Sequence, residues 1–248
     1  MSATATPATG SPKIASPMLE TKGLQAWYEE SHILHGVDLA IGRGEVVTLV
    51  GRNGVGKTTT LRSIMGIVAK RSGEVIFEGE PVSRLTSDGI AKRGIGFVPE
   101  ERGIFSSLSV NENLTLPPIV DKTNSWPLER IYALFPILKE RGRVIGTTLS
   151  GGEQQMLAIA RILRSGSRLI LLDEPTEGLA PVIIDAIQRV IVEMKGAGIT
   201  VLLVEQNLRF ATRVADRHYL MVHGRIVESL SNAEVIEREQ DLLAHLGV

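Results

Sequence analysis

The segment Gly51-Arg52-Asn53-Gly54-Val55-Gly56-Lys57-Thr58 constrains this chain more than any other. It fits the pattern G-x-x-x-x-G-K-[ST]. It follows an apolar run, Val46 to Val50, and precedes a segment in which Leu61, Ile64, Met65 and Val68 recur at the spacing of one helix face. A buried strand, a glycine loop and a helix are therefore predicted in that order. The glycines allow the backbone N–H groups to converge, and the start of the helix adds its own unpaired N–H groups, which together make a nest for phosphate. Gly51, Asn53, Gly54 and Gly56 belong to this loop. Lys57 is placed to reach the β- and γ-phosphates, and the hydroxyl of Thr58, next to Thr59, suits Mg²⁺. The blander reading is a glycine-rich turn with a chance lysine; the strand and helix on either side oppose it.

Further along, short apolar runs alternate with helical patterns. Val75 to Phe77, Ile95 to Val98, Leu169 to Leu172 and Ile199 to Val204 read as strands. The Leu169 run is apolar on both faces, as a central parallel strand requires. Val182 to Lys195 reads as a helix with Ile183, Ile187, Val190, Ile191 and Met194 on one face, and Gly196 as its stop. Strand–helix alternation argues a parallel α/β sheet. The stretch from about Leu108 to Leu163 is instead predicted to be mostly helical, with a turn at Pro117-Pro118. Asn232 to Leu246 reads as an amphipathic helical end. Residues 1–17, rich in Ala, Thr, Ser and Pro, read as a disordered tail.

Composition removes several function classes. The chain has no cysteine, which excludes thiolate metal sites and cysteine nucleophiles. Its formal charge of −1 gives no whole-chain attraction for nucleic acid, and none is expected as a partner. No run approaches the ~18 apolar residues of a membrane helix. The histidines His32, His35, His218, His223 and His245 are scattered without metal-ligand spacing.

Two further segments carry chemistry. Leu169-Ile170-Leu171-Leu172-Asp173-Glu174 is an apolar strand ending in two acids. Asp173 is a candidate to hold Mg²⁺, directly or through water, and Glu174 to accept a proton from an attacking water or to orient it. Leu149-Ser150-Gly151-Gly152-Glu153-Gln154-Gln155 is a glycine turn that opens a helix, and so a second anion-binding N-terminus. Ser150 follows Lys57 by 93 residues, and Asp173 follows Gln155 by 18.

In that order and spacing, the phosphate loop, the Leu-Ser-Gly-Gly-Glu-Gln-Gln signature and the acidic strand resemble the nucleotide-binding subunit of ATP-binding cassette transporters. The resemblance spans about Leu19 to Val227. It implies an α/β fold with the parallel core of P-loop NTPases, an antiparallel β edge region and a helical subdomain at about 105–163 within a domain of 18–248. It also implies ATP and Mg²⁺, and two subunits packed head to tail, with Ser150, Gly151 and Gly152 touching the γ-phosphate held by the other chain. The partner ATPase is either a second copy or a paralogue. Tyr28 matches the adenine-stacking aromatic of the family, with Trp27 its rival. A peripheral position on the cytoplasmic face of the inner membrane follows from the same resemblance.

Three positions depart from the common pattern of that family. Glu100 stands where Gln is usual, close enough to face Mg²⁺ or its waters, but unable to donate a hydrogen bond when ionised. Gln206 stands where His is usual; it can donate to a γ-phosphate oxygen but does not titrate near neutral pH. Ala180 replaces an Asp in the loop after Glu174. With the run Glu174-Pro175-Thr176-Glu177-Gly178-Leu179-Ala180-Pro181, these resemble the ATPase subunits of branched-chain amino acid importers, which pair two ATPases with two permeases and an external solute-binding protein. Urea importers are close relatives of that branch. Residues Arg102 to Glu112, just after Glu100, are the expected permease contact. The readings from other classes are weaker. A GTPase lacks its N/T-K-x-D motif here. A soluble cassette ATPase acting on DNA or ribosomes lacks paired cassettes, coiled coils or basic extensions. A regulatory module without turnover is opposed by intact Lys57, Asp173 and Glu174.

Overall fold

The computed structural model describes residues 14–246. The predicted tail lies mainly on residues 1–13, outside the described residues. From Met18 onward the chain is tied down: its N–H donates to Ile41 O at 2.7 Å.

An antiparallel sheet opens the chain. It holds β1 (Leu19–Tyr28), β2 (Ser31–Ile41), β4 (Lys70–Phe77) and β5 (Glu80–Pro81), in the order β2-β1-β4-β5. The larger sheet has the order β10-β9-β3-β8-β7-β6. Its strands are β3 (Val46–Val50), β6 (Ile95–Val98), β7 (Leu169–Asp173), β8 (Thr200–Glu205), β9 (Arg217–Val222) and β10 (Arg225–Ser231). All neighbours in it run parallel except the β9–β10 hairpin. The mixed α/β architecture, with its antiparallel edge region, is the one expected.

The central strands are apolar throughout because both faces are covered. Along β7, Leu169 and Leu171 join one core cluster while Ile170 and Leu172 join the other; along β8, Leu202 and Val204 alternate with Val201 and Leu203 in the same way. The helices α1 (Lys57–Ile64) and α2 (Ser87–Lys92) follow β3 and β5, respectively. Between β6 and β7 the chain is helical: α3 (Val110–Thr115), α4 (Leu128–Leu134), α5 (Pro136–Glu140), a 3₁₀ turn at Gly146–Thr148, and α6 (Gly151–Ser165). The helix α7 (Pro181–Gly196) buries Ile187, Val190, Ile191 and Met194, as its periodicity predicts, and α8 (Leu208–Val214) follows β8.

One local expectation is corrected. The periodicity carries the first helix to Val68, yet α1 stops at Ile64. Met65 caps it, Gly66 takes φ 71°, and the chain turns toward β4 while Val68 still buries its side chain. The C-terminal end is helical over the expected residues, as α9 (Asn232–Glu237) and α10 (Glu239–Leu246), separated at Arg238, whose guanidinium pairs with Glu228 at 2.8 Å.

Candidate functional site

The parallel register sets the carboxyl ends of β3, β8 and β7 side by side: Val50 lies beside Glu205, and Val204 beside Asp173. The loops after β3 and β7 meet in one cleft, the usual place for a ligand on an open α/β sheet, and the loop after β8 borders an adjoining one. A cavity of about 400 Å³ there is lined by Tyr28, Asn53, Gly54, Gly56, Lys57, Thr58, Thr59, Glu100 and Glu174, together with Ile33 and Glu177.

The loop needs its glycines at two points. A Cβ on Gly51 would sit 2.5 Å from Met221 O, and Gly56 adopts φ 111° with Leu34 packed beneath it. Gly56 caps α1 without any side-chain hydrogen bond, and no acid occupies the first turn. The helix therefore presents free N–H groups and the positive end of its dipole to the cavity. Lys57 is 4% exposed. Its Nζ donates to Gly51 O at 2.8 Å and Arg52 O at 3.1 Å, and pairs with Glu174 Oε1 at 3.1 Å.

Thr58 Oγ1 donates to Asp173 Oδ1 at 2.9 Å, which ties α1 to β7. The other oxygen, Asp173 Oδ2, is buried with no hydrogen-bond partner. Burial pushes the Asp173 carboxyl up to about 6, aided by the charges of Glu174 and Glu100 and opposed by Thr58 and Arg62. A buried carboxylate with a free lone pair, next to a hydroxyl and a phosphate nest, fits a divalent cation that takes its remaining ligands from phosphate and water. Among the described residues no cluster of three or more His, Cys, Asp or Glu side chains is set to hold a metal.

Glu174 has φ 43°, a conformation that costs a non-glycine residue about 1–3 kcal/mol and is found where function demands it. Its carboxyl also meets that of Glu177; the hydrogen bond between them, then burial, pushes Glu177 above the usual carboxylate range. Gln206 lines an adjoining cavity with Glu174, Glu177 and Glu205 rather than the one around the phosphate loop. Tyr28 and Trp27 are separated: Tyr28 faces the cavity, 44% exposed, whereas Trp27 stacks on His32 with ring centroids 4.4 Å apart.

Ser150, Gly151 and Gly152 do not line this cavity. They open α6, where Ser150 Oγ accepts from Glu153 N at 3.3 Å and Glu153 Oε2 accepts from Ser150 N at 2.7 Å. This capping box is readable as S-x-x-E in the sequence. Burial alone would raise the Glu153 carboxyl; the Ser150 bonds and the Arg141 charge hold it below its usual range. The phosphate loop and the signature turn thus do not share a cavity within one chain.

A sequence profile of the ABC transporter family matches residues 34–177, more than half of the chain. The chain belongs to the ABC transporter family. As an ABC ATPase it aligns over 93% of its length, at 41% identity, with the whole of the high-affinity branched-chain amino acid transport ATP-binding protein BraG of Pseudomonas aeruginosa. A probable branched-chain amino acid transport ATP-binding protein, LivF of Archaeoglobus fulgidus, is 38% identical over 90% of this chain and 96% of its own. The lipopolysaccharide export ATP-binding protein LptB of Escherichia coli K12 is 34% identical over 92% and 97%. Among solved structures, cbiO1 of Clostridium perfringens, part of the cbiONQ transporter complex, superposes with a TM-score of 0.75 at 26% identity, covering 94% of this chain and 96% of that one. A dimeric ATP-binding cassette in a post-hydrolysis state with ADP and Pi gives 0.77 at 26% identity, covering 87% and 99%. No described helix of this ABC ATPase is long and apolar enough to cross a membrane.

Sequence reasoning did not single out Thr176, Glu177 or Glu205. The available signal for Glu205 was the one used for Asp173, an acid that ends an apolar strand.

Proposed function

We propose that this ABC ATPase is the motor subunit of an importer for branched-chain amino acids. The observation that carries the reading is the 41% identity to BraG across all of that protein. ATP enters as substrate with its adenine on Tyr28 and its phosphates in the nest from Gly51 to Thr59. Lys57 turns from the loop carbonyls to the β- and γ-phosphates. Thr58, Asp173 and Glu100 are the residues that would hold Mg²⁺, and the metal when bound neutralises phosphate charge. Glu174 holds the attacking water and accepts its proton as the γ-phosphoryl leaves ADP. Gln206 donates to a γ-phosphate oxygen. Ser150, Gly151 and Gly152 reach the γ-phosphate of a second ATPase subunit, a copy or a paralogue, so that binding closes the pair and phosphate release opens it.

The permeases are met by Arg102 to Glu112, the stretch that leads into the helical segment 105–163. Phe105 supports this with an exposed aromatic ring beside the Arg161 guanidinium. The subunit sits on the cytoplasmic face of the membrane and meets an external solute-binding protein only through the permeases. Lipopolysaccharide export is the second reading, favoured by the 34% identity to LptB.

A pull-down from solubilised native membranes tests both, with the Glu174→Gln chain as bait and Mg·ATP present. Two permeases and a paralogous ATPase of an amino acid importer are expected. Permeases of a lipopolysaccharide or urea system would replace the substrate assignment. Recovery of ribosomes, or of the bait alone, would overturn the transporter reading.

A further inference from the structure

Glu205 has no part in the roles above. It ends β8 beside Val50, one residue before Gln206, and is 3% exposed. A carboxylate buried so far must find donors. Thr176 Oγ1 donates to its Oε1 at 2.7 Å, and the backbone N–H groups of Gln206 and Asn207 donate to its Oε2 at 3.2 Å each. Thr176 belongs to the loop that begins at Glu174, 29 residues away in sequence. Asn207 passes the restraint on by accepting from Phe210 N at 3.1 Å, which caps α8. Glu174, Thr176, Glu205, Gln206 and Asn207 all border one cavity of about 770 Å³. A buried acid is a costly way to fill space, since an apolar side chain of similar volume packs there without desolvation. Here each oxygen serves a different loop.

We propose that Glu205 is a positioning residue whose carboxylate clasps the loop of Glu174 to the loop of Gln206. The clasp holds these two side chains at a fixed separation across the γ-phosphate end of the cleft. This rests on the function proposed above, in which both meet the phosphate end. Among the described residues, the Thr176–Glu205 bond is the side-chain hydrogen bond that joins the two loops. The backbone bonds to Oε2 set the direction of Gln206, and the hydroxyl bond to Oε1 sets the path of the chain after Glu174.

A Gln at this position can keep both arms. Its amide oxygen accepts from the two N–H groups, and its NH₂ donates to Thr176 Oγ1, which turns to accept. Ala keeps neither arm, and Thr176→Val removes one without changing volume.

The test uses the purified full chain, with steady-state ATPase kinetics and hydrogen exchange read by mass spectrometry. Glu205→Ala is expected to lower kcat by about tenfold with KM for ATP within about twofold, because misplacement by a fraction of an ångström acts on the transition state. Glu205→Gln is expected to recover kcat to within about threefold of the wild type, and Thr176→Val to lower it by about three- to fivefold. In Glu205→Ala and Thr176→Val, exchange is expected to quicken together at residues 176–179 and 206–208, with residues 201–204 unchanged.

Unchanged kcat in Glu205→Ala, or loosening of only one loop, overturns the proposal. If Glu205→Ala does not fold, Thr176→Val and Glu205→Gln decide it by the same two readouts. Gln206→Ala, run in parallel, separates the two readings. If it stays within about twofold of wild-type turnover, the phosphate contact of Gln206 is wrong; joint loosening of the two loops then upholds the clasp and independent loosening overturns it.

Discussion

Two helices of this ABC ATPase begin at glycine turns, and they prepare their first N–H groups differently. α1 begins at Gly56 in a left-handed conformation, with no side-chain cap and no acid in its first turn. α6 begins at Ser150 with a complete capping box and Glu153 in its first turn. An uncapped N-terminus leaves donors for a ligand, whereas a capped one is stable by itself and carries a negative charge close by. The first is built as a phosphate cradle that one chain supplies alone. On the function proposed above, the second persists at the surface until another chain brings the phosphate to it.

The largest effect expected from this contrast is at α1. Lys57→Ala should lower ATP turnover by about 10²–10³-fold, since it removes the ammonium proposed above to reach the phosphates. Phosphate-release kinetics check this, and a loss under tenfold would put the cradle elsewhere. At α6, Ser150→Ala should lower kcat by about tenfold while leaving ATP binding by the separate chain unchanged, as measured by equilibrium binding against turnover. Weakened binding in the separate chain would place Ser150 in its own chain's cradle and end the contrast.

A smaller effect concerns the strand end between them. Burial pushes the Glu205 carboxyl up to about 7; the bonds from Thr176, Asn207 and Gln206 oppose it and the charge of Glu174 adds to it. Its folded pKa thus lies above its unfolded value, so its contribution to stability is complete below about pH 4.5 and is lost as pH rises through 7. Glu177 and Arg209 border the same cavity. Glu205→Gln should therefore melt about 3–8 °C above the wild type at pH 8 and with it at pH 5, a difference that thermal unfolding in the absence of nucleotide reads directly. The smallest effect is at the cap. Glu153→Ala should cost about 0.5–1 kcal/mol in chemical denaturation by opening half of the capping box, and no counterpart exists at α1.

Local motifs were the legible part of the molecule. The path from Val46 through Thr58 depends on bonds and turns within a dozen residues, so its pattern survives as spacing. Asp173 and Glu174 were legible because two acids end an unbroken apolar strand. Glu205 ends a similar strand, yet its partners Thr176 and Val50 come beside it only through the sheet order. The choice between Trp27 and Tyr28 turned on the pairing of β1 with β2, whose register shifts between Ala26 and Trp27. Beyond that shift Trp27 pairs with His32 while Tyr28 borders the cavity, an arrangement that the sequence pattern of the strand does not reveal. The end of α1 was hidden because Val68 continues the helical period after the chain has left the helix.

The place of β3 in the sheet bears on how the protein is made. Both neighbours of β3 come from the last quarter of the chain: β8 at Thr200–Glu205 and β9 at Arg217–Val222. While the chain is still being synthesised, the strand that carries the phosphate loop leaves the ribosome with both edges unpaired; one waits for β8, complete 155 residues after Val50, and the other for β9, complete 172 residues after it. The cleft beside the phosphate loop therefore waits on strands made long after the loop itself. Nascent chains released before Val222 should be the ones that chaperones must hold.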